Sequence, residues 1–166
     1  MDLMLALTED GIHEVIWTEA LLREWERVVT RDHRRSPAVA ASIANAVREF
    51  FPDSEISMES YSPLVPDMPG NDPDDRVHMA AAVAGGATAI VTWNSKDFPA
   101  KALAEHGVHV TDPDTYLCAL ATDLSDEVLS TIDRMAEAKR RPPISTAQLL
   151  DALEKAGVAM FVALMR

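Results

Sequence analysis

The chain has 166 residues, with 15 Lys and Arg against 27 Asp and Glu and a formal charge of −12. That length suits one domain, and 48% apolar with 25% charged residues excludes wholesale disorder. The single cysteine, Cys118, excludes an internal disulfide and every multi-cysteine zinc pattern, and the apolar run from Met79 to Val91 is broken by Gly85 and Gly86 and is shorter than the roughly 20 residues a membrane helix needs. No basic leader is readable at Met1-Asp2-Leu3-Met4, so a cytoplasmic location is expected.

Met1 to Glu9 reads as the tail of a helix closed by Gly11, and Ile12 to Trp17 as a short strand. Thr18 is placed to cap a helix through about residue 30, on the spacing of Leu21, Leu22, Trp25, Val28 and Val29. Ser36-Pro37 opens another, with Val39, Ile43, Val47 and Phe50 expected inward and Pro52 ending it. Glu55 to Met58 is a second strand candidate, and Tyr61 to Asn71, with three prolines, a loop. Asp72-Pro73-Asp74-Asp75 then leads an Ala-rich helix to Gly85. Thr88 to Thr92 follows as a continuous apolar strand of the buried parallel kind. A helix at Pro99–His106, a strand at Val108–Val110 and a helix from Asp112-Pro113 to about Ala121 come next. Ser125–Ala138 and Ser145–Ala156 are two further helices. Helices alternating with short apolar strands give an α/β class with a parallel sheet.

A net charge of −12 argues against a passive nucleic-acid-coating module but not against an enzyme whose acids hold metal ions. The charges are sorted into patches: Arg23, Arg27, Arg31, Arg34 and Arg35 in one, Asp67, Asp72, Asp74 and Asp75 in another. In a parallel α/β sheet the ligand crevice lies at the carboxyl ends of the strands, where Thr92 to Phe98 emerges. Carboxylates gathered there repel one another unless a cation neutralises them, and oxygen donors suit Mg²⁺ or Mn²⁺. Plainer readings stand beside this one. Asp72 can be a helix cap, Asn94 and Asp97 turn residues, and Glu24 either a solvated acid or one salt-bridged to Arg27 or Arg23. The five histidines show no ligand-like spacing and are expected at the surface or behind ligands.

The string Asp72-Pro73-Asp74-Asp75-Arg76-Val77-His78-Met79-Ala80-Ala81-Ala82, followed by Gly86-Ala87-Thr88-Ala89-Ile90-Val91-Thr92-Trp93-Asn94-Ser95-Lys96-Asp97-Phe98, resembles the PIN-domain family, which includes the VapC-type toxins of bacterial toxin–antitoxin pairs. The likeness extends upstream to Trp17–Glu24 and downstream through Gly107–Asp114, and covers about residues 3 to 120. It implies a three-layer fold with a five-stranded parallel sheet and a Mg²⁺- or Mn²⁺-dependent endoribonuclease. Glu24 matches the helical glutamate of the family's acidic site. Asp75 matches the aspartate opening the helix before the fourth strand, with Asp72 or Asp74 as register alternatives. Asn94 and Asp97 match the positions after that strand, and Thr92 its polar end. The catalytic set is thus Glu24, Asp75 and Asp97, with Asn94 and Asp72 as further metal ligands and Thr92 in support. RNA is the implied substrate and an antitoxin the implied partner; a homodimer is compatible.

The family pattern begins with a strand carrying an aspartate, whereas this sequence starts inside what matches the first helix. The expectation is a PIN-like domain over residues 1–121 that lacks its central first strand, followed by a helical extension over 122–166. A second polypeptide would supply that strand and aspartate, and without it the Ile12–Trp17 and Thr88–Thr92 strands would keep open inner edges. The alternatives are a non-catalytic PIN-like binding subunit and an ordinary toxin with a mis-assigned start.

Overall fold

The computed structural model describes residues 2–166, so the expected start of the first helix at Met1 lies outside the described residues. The chain is helix-rich α/β and divides into two compact units, each discontinuous in sequence.

One unit comprises Ile16–Ile90 and Ser95–Val110. Trp17 anchors its start. The indole N–H donates to the Phe51 carbonyl at 2.8 Å, and the Trp17 backbone N–H donates to Ser54 O at 3.0 Å. Helix α2 (Glu19–Arg31) follows, with Thr18 Oγ1 accepting from Leu21 N–H as expected of that cap. Helix α3 (Pro37–Phe50) starts at Ser36, whose hydroxyl accepts from Val39 N–H. Its inward face differs from the expected one. Ala40, Ala44 and Val47 are buried, whereas Val39 and Phe50 are 46% and 71% exposed. α3 packs against α2, and small residues let two helix backbones approach while larger ones are pushed to the rim.

The short helix α4 (Met58–Tyr61) and a 3₁₀ turn (Ser62–Asp67) occupy much of the expected loop. Helix α5 (Pro73–Ala84) begins at Asp72 and ends at Gly85. A Cβ on Gly85 would lie 2.7 Å from Ile16 Cδ1 and 2.8 Å from Ile56 Cδ1. Gly85→Ala should therefore force both isoleucines aside and cost about 1–3 kcal/mol in urea unfolding, the usual range for overpacking. Strand β1 (Ala89–Val91), helix α6 (Ala100–Ala104) and strand β2 (His109–Thr111) form a strand–helix–strand unit. The core of this unit gathers Tyr61, Met68, Met79, Phe98, Leu103 and Val108.

The sheet is smaller than expected. β1 and β2 pair in parallel, with His109 N–H donating to Thr88 O and Thr92 N–H to Thr111 O. The two other expected strands, 12–17 and 55–58, reduce to one parallel bridge between Trp17 and Glu55. Residues 12 and 13 are engaged elsewhere. Ile12 N–H donates to Leu7 O to close the first helix, and His13 Nε2 donates to Met4 O at 2.8 Å. On the other side, Met58 already starts α4. Among the described residues β1 has one strand neighbour, and Ala89, Ile90 and Val91 are half-buried rather than covered on both faces.

The second unit comprises Met1–Val15, Val91–Asn94 and Thr111–Arg166. It holds helices α1 (Asp2–Glu9), α7 (Pro113–Asp123), α8 (Ser125–Ala138), α9 (Thr146–Lys155) and α10 (Ala159–Met165). Asp112 caps α7 by accepting from Thr115 N–H at 3.0 Å, and Ser145 with Gln148 forms a capping box on α9. α10 was not expected from the sequence. It supplies Phe161, Val162 and Met165 to a core shared with Leu3, Leu7, Leu117, Val128, Ile132 and Leu150. Its first turn is capped from α7: Asp114, 7% exposed, accepts from Phe161 N–H at 2.8 Å and Met160 N–H at 3.1 Å. No helix among the described residues is long and apolar enough to cross a membrane.

Candidate active site

Glu24, Asp72, Asp74, Asp75 and Asp97 all belong to the first unit described, and three elements carry them. α2 presents Glu24, half-buried at the border of its apolar stripe. The first turn of α5 presents the three aspartates, and a 3₁₀ turn (Ser95–Asp97) presents Asp97. Gly70, at φ +103, gives the segment before α5 a backbone conformation that other residues rarely adopt. Arg76 fixes the same segment by donating to Met68 O at 2.8 Å.

The acids differ in what they do. Asp72 caps α5, with Oδ1 accepting from Asp74 N–H at 2.9 Å, so the plainer reading of that residue holds in the structure. Asp74 faces Arg27, with Oδ2 3.9 Å from Nη2. Glu24 is paired neither with Arg23 nor with Arg27 in the manner expected. Its Oε2 lies 2.7 Å from His78 Nε2. A carboxylate only accepts, so the proton of that bond sits on the imidazole. His78 lies one helical turn beyond Asp75 on α5, and that i, i+3 spacing was the signal available in the sequence for a residue otherwise left at the surface.

Asp75 is the centre of the group. Its carboxyl is held above the ordinary aspartate value, first by burial and then by the negative charges of Asp72 and Asp97, with a smaller contribution from Glu24 and an opposing one from His78. Like charge crowded at a partly buried carboxylate is the condition a cation relieves. Among the described residues, no three His, Cys, Asp or Glu side chains stand close enough to share one ion. The donors nevertheless fit Mg²⁺ or Mn²⁺ in kind, since such ions often bind through one or two carboxylates and keep water in their remaining positions.

Thr92 and Asn94 belong to the other unit, where Thr92 Oγ1 accepts from Asn94 N–H at 3.1 Å in the turn that leaves β1.

A PIN-domain family model matches residues 1–96, more than half of the chain. The chain belongs to the PIN-domain family. A second family model, the VapC50 C-terminal domain, matches residues 113–166. Among curated proteins, "Putative ribonuclease VapC50" of Mycobacterium tuberculosis (strain ATCC 25618 / H37Rv) is 36% identical over 93 residues, covering 56% of this chain and 54% of that protein. The match thus spans about half the length of the curated relative. No solved structure matches the chain. In this PIN-domain chain the two family matches leave out residues 97–112, the stretch that carries Asp97, α6 and β2.

Proposed function

We propose that this PIN-domain chain is the toxin subunit of a VapC-type toxin–antitoxin pair and a metal-dependent endoribonuclease acting in the cytoplasm. The proposal assigns residues 1–121 to the nuclease part and 122–166 to a helical extension; the two family matches themselves cover 1–96 and 113–166. The observation that carries the reading is Asp75, partly buried and surrounded by Asp72, Asp97 and Glu24. Once the site is completed, Asp75, Asp97 and Glu24 would converge on Mg²⁺ or Mn²⁺, with Asp72 as a further oxygen donor. The ion supplies activation of water for phosphodiester cleavage. His78 orients Glu24 through the 2.7 Å hydrogen bond, as residues behind metal ligands commonly do.

The sheet supports a further part of the proposal: the site is completed by an extended segment carrying an aspartate. β1 is paired on one edge, and the Trp17–Glu55 bridge forms no ladder with it among the described residues. A strand entering between them would bond both edges and cover the half-buried Ala89, Ile90 and Val91. The antitoxin or another small polypeptide is the proposed donor.

The test is RNA cleavage by this chain, alone and with the donor, with Mg²⁺, with Mn²⁺ and with a chelator. Cleavage that needs the metal and rises on adding the donor is expected. His78→Ala should lower that cleavage about 10- to 100-fold with unchanged circular dichroism. Metal-independent cleavage would remove the assignment of the acids. A second reading, the non-catalytic PIN-like binding subunit, has one observation in its favour: the lack of three convergent metal donors among the described residues. Binding of RNA without cleavage under all these conditions would establish it.

A further inference from the structure

α2 carries Glu24 on one side and, on its exposed side, Arg23, Arg27 and Arg31 at successive four-residue steps. With Pro37 and Ala40 of α3 these arginines line an open groove between the two helices. Residues 19–35 together with Arg48 hold six arginines against four acids, in a chain whose net charge is −12. The acids leave the stripe only weakly neutralised. Glu19 is held by Arg48 through bonds of 2.7 and 3.0 Å, and its distance to Arg23 is 3.8 Å. Arg27 reaches Asp74 only at 3.9 Å, and Arg31 alone has a close partner, Asp32 at 2.9 Å. Exposed pairs of this kind contribute little and are readily exchanged for another anion.

We propose that the α2 arginine stripe binds the sugar–phosphate backbone of single-stranded RNA and leads it to the acidic site. The proposal rests on the ribonuclease reading above and adds the surface that supplies substrate affinity. Charge complementarity is the first argument, because guanidinium groups bind phosphates through paired N–H donors. Continuity is the second: Arg27 Nη2 lies 3.9 Å from Asp74 Oδ2, and Asp74 is the neighbour of Asp75. Four-residue steps place the guanidinium roots about 6 Å apart along the helix, a regular row suited to a polyanion rather than to one isolated anion.

The test measures binding of a fluorescent single-stranded RNA oligomer across a salt series, in chelator so that cleavage does not intervene. The triple variant Arg23→Gln, Arg27→Gln, Arg31→Gln should bind roughly tenfold or more weakly, and its slope of log affinity against log salt should fall by about two. Replacing the same three residues by lysine should keep most of that slope. A control with equal charge loss, Lys139→Gln, Arg140→Gln, Arg141→Gln, should bind like wild type. Equal binding by the stripe variant, or an equal loss in the control, overturns the proposal. So does RNA binding that survives in the stripe variant while binding of an acidic polypeptide such as polyglutamate is lost. A wild-type chain that neither binds nor cleaves RNA at low salt overturns the ribonuclease reading itself, a result distinct from the others.

Discussion

Asp75→Asn is expected to abolish RNA cleavage, by at least about a hundredfold, and at the same time to make the chain slightly more stable. The first effect follows from its central place among the acids, since even residues one layer behind a metal site commonly cost 10- to 100-fold. The second follows from the direction of its titration. Burial first, then Asp72, Asp97 and Glu24, raise its folded-state pKa above the unfolded value, and His78 offsets only part of this. A carboxyl so raised favours the folded state in acid, where it is protonated. That contribution is lost as pH rises through the folded pKa, so at neutral pH the ionised group opposes folding. Asparagine keeps the shape and removes the charge. Thermal melts of both proteins from about pH 4 to about pH 8 should show the variant ahead at neutral pH and the gap closing in acid. Mg²⁺ or Mn²⁺ should raise the melting temperature of wild type more than that of the variant. Full cleavage by Asp75→Asn would transfer the chain to the binding-subunit reading.

The largest expected loss of stability lies at Asp114. α10 has Val158 at its start, with no side-chain cap of its own, and its N–H groups at Met160 and Phe161 donate instead to this one carboxylate of α7. Asp114→Ala removes both acceptors at a place 93% hidden from solvent, together with a negative charge at the positive end of a helix dipole. Unsatisfied buried donors cost about 1–3 kcal/mol each, so a loss of about 3 kcal/mol is expected. For a chain of this size that corresponds to a fall of roughly 6–12 °C in melting temperature. Asp114→Asn, which keeps a carbonyl acceptor, should lose less. Equal melting of wild type and Asp114→Ala would mean that water satisfies α10 as well as the carboxylate does.

What the sequence disclosed about the fold depended on how local each determinant is. Thr18, Ser36, Asp72, Asp112 and Ser145 act within three residues of themselves, and the helices they open begin where those residues predict. Strands are not local. Ile12–Trp17 and Glu55–Met58 have strand-like composition, yet a strand exists only with neighbours, and each contributes one bridging residue. α10 escaped notice because Ala159–Met165 is short and nearly uniform in hydrophobicity, which leaves no period to read, and because its cap lies some 45 residues upstream. At the site, the acids around Asp75 were legible in kind. Asp72 caps α5 through its bond to Asp74 N–H, a local role that its place before Pro73 made legible. Glu24 pairs with His78, 54 residues away, rather than with the nearby Arg23 or Arg27, a contact that only the tertiary fold creates.

The core that unites Leu3 and Leu7 of α1 with Phe161 and Val162 of α10 bears on how the protein is made. A ribosome adding about 5–20 residues each second needs roughly 8–30 s to pass from Leu7 to Phe161. For most of that interval the apolar face of the nascent α1 lacks its neighbours, since α8 (Ser125–Ala138) is made late in the chain and α10 last. Residues 16–110, by contrast, contain the whole of the acid-bearing unit and its core, which can collapse while translation continues. Synthesis in chain order therefore completes the acid-bearing unit before the core that holds α1.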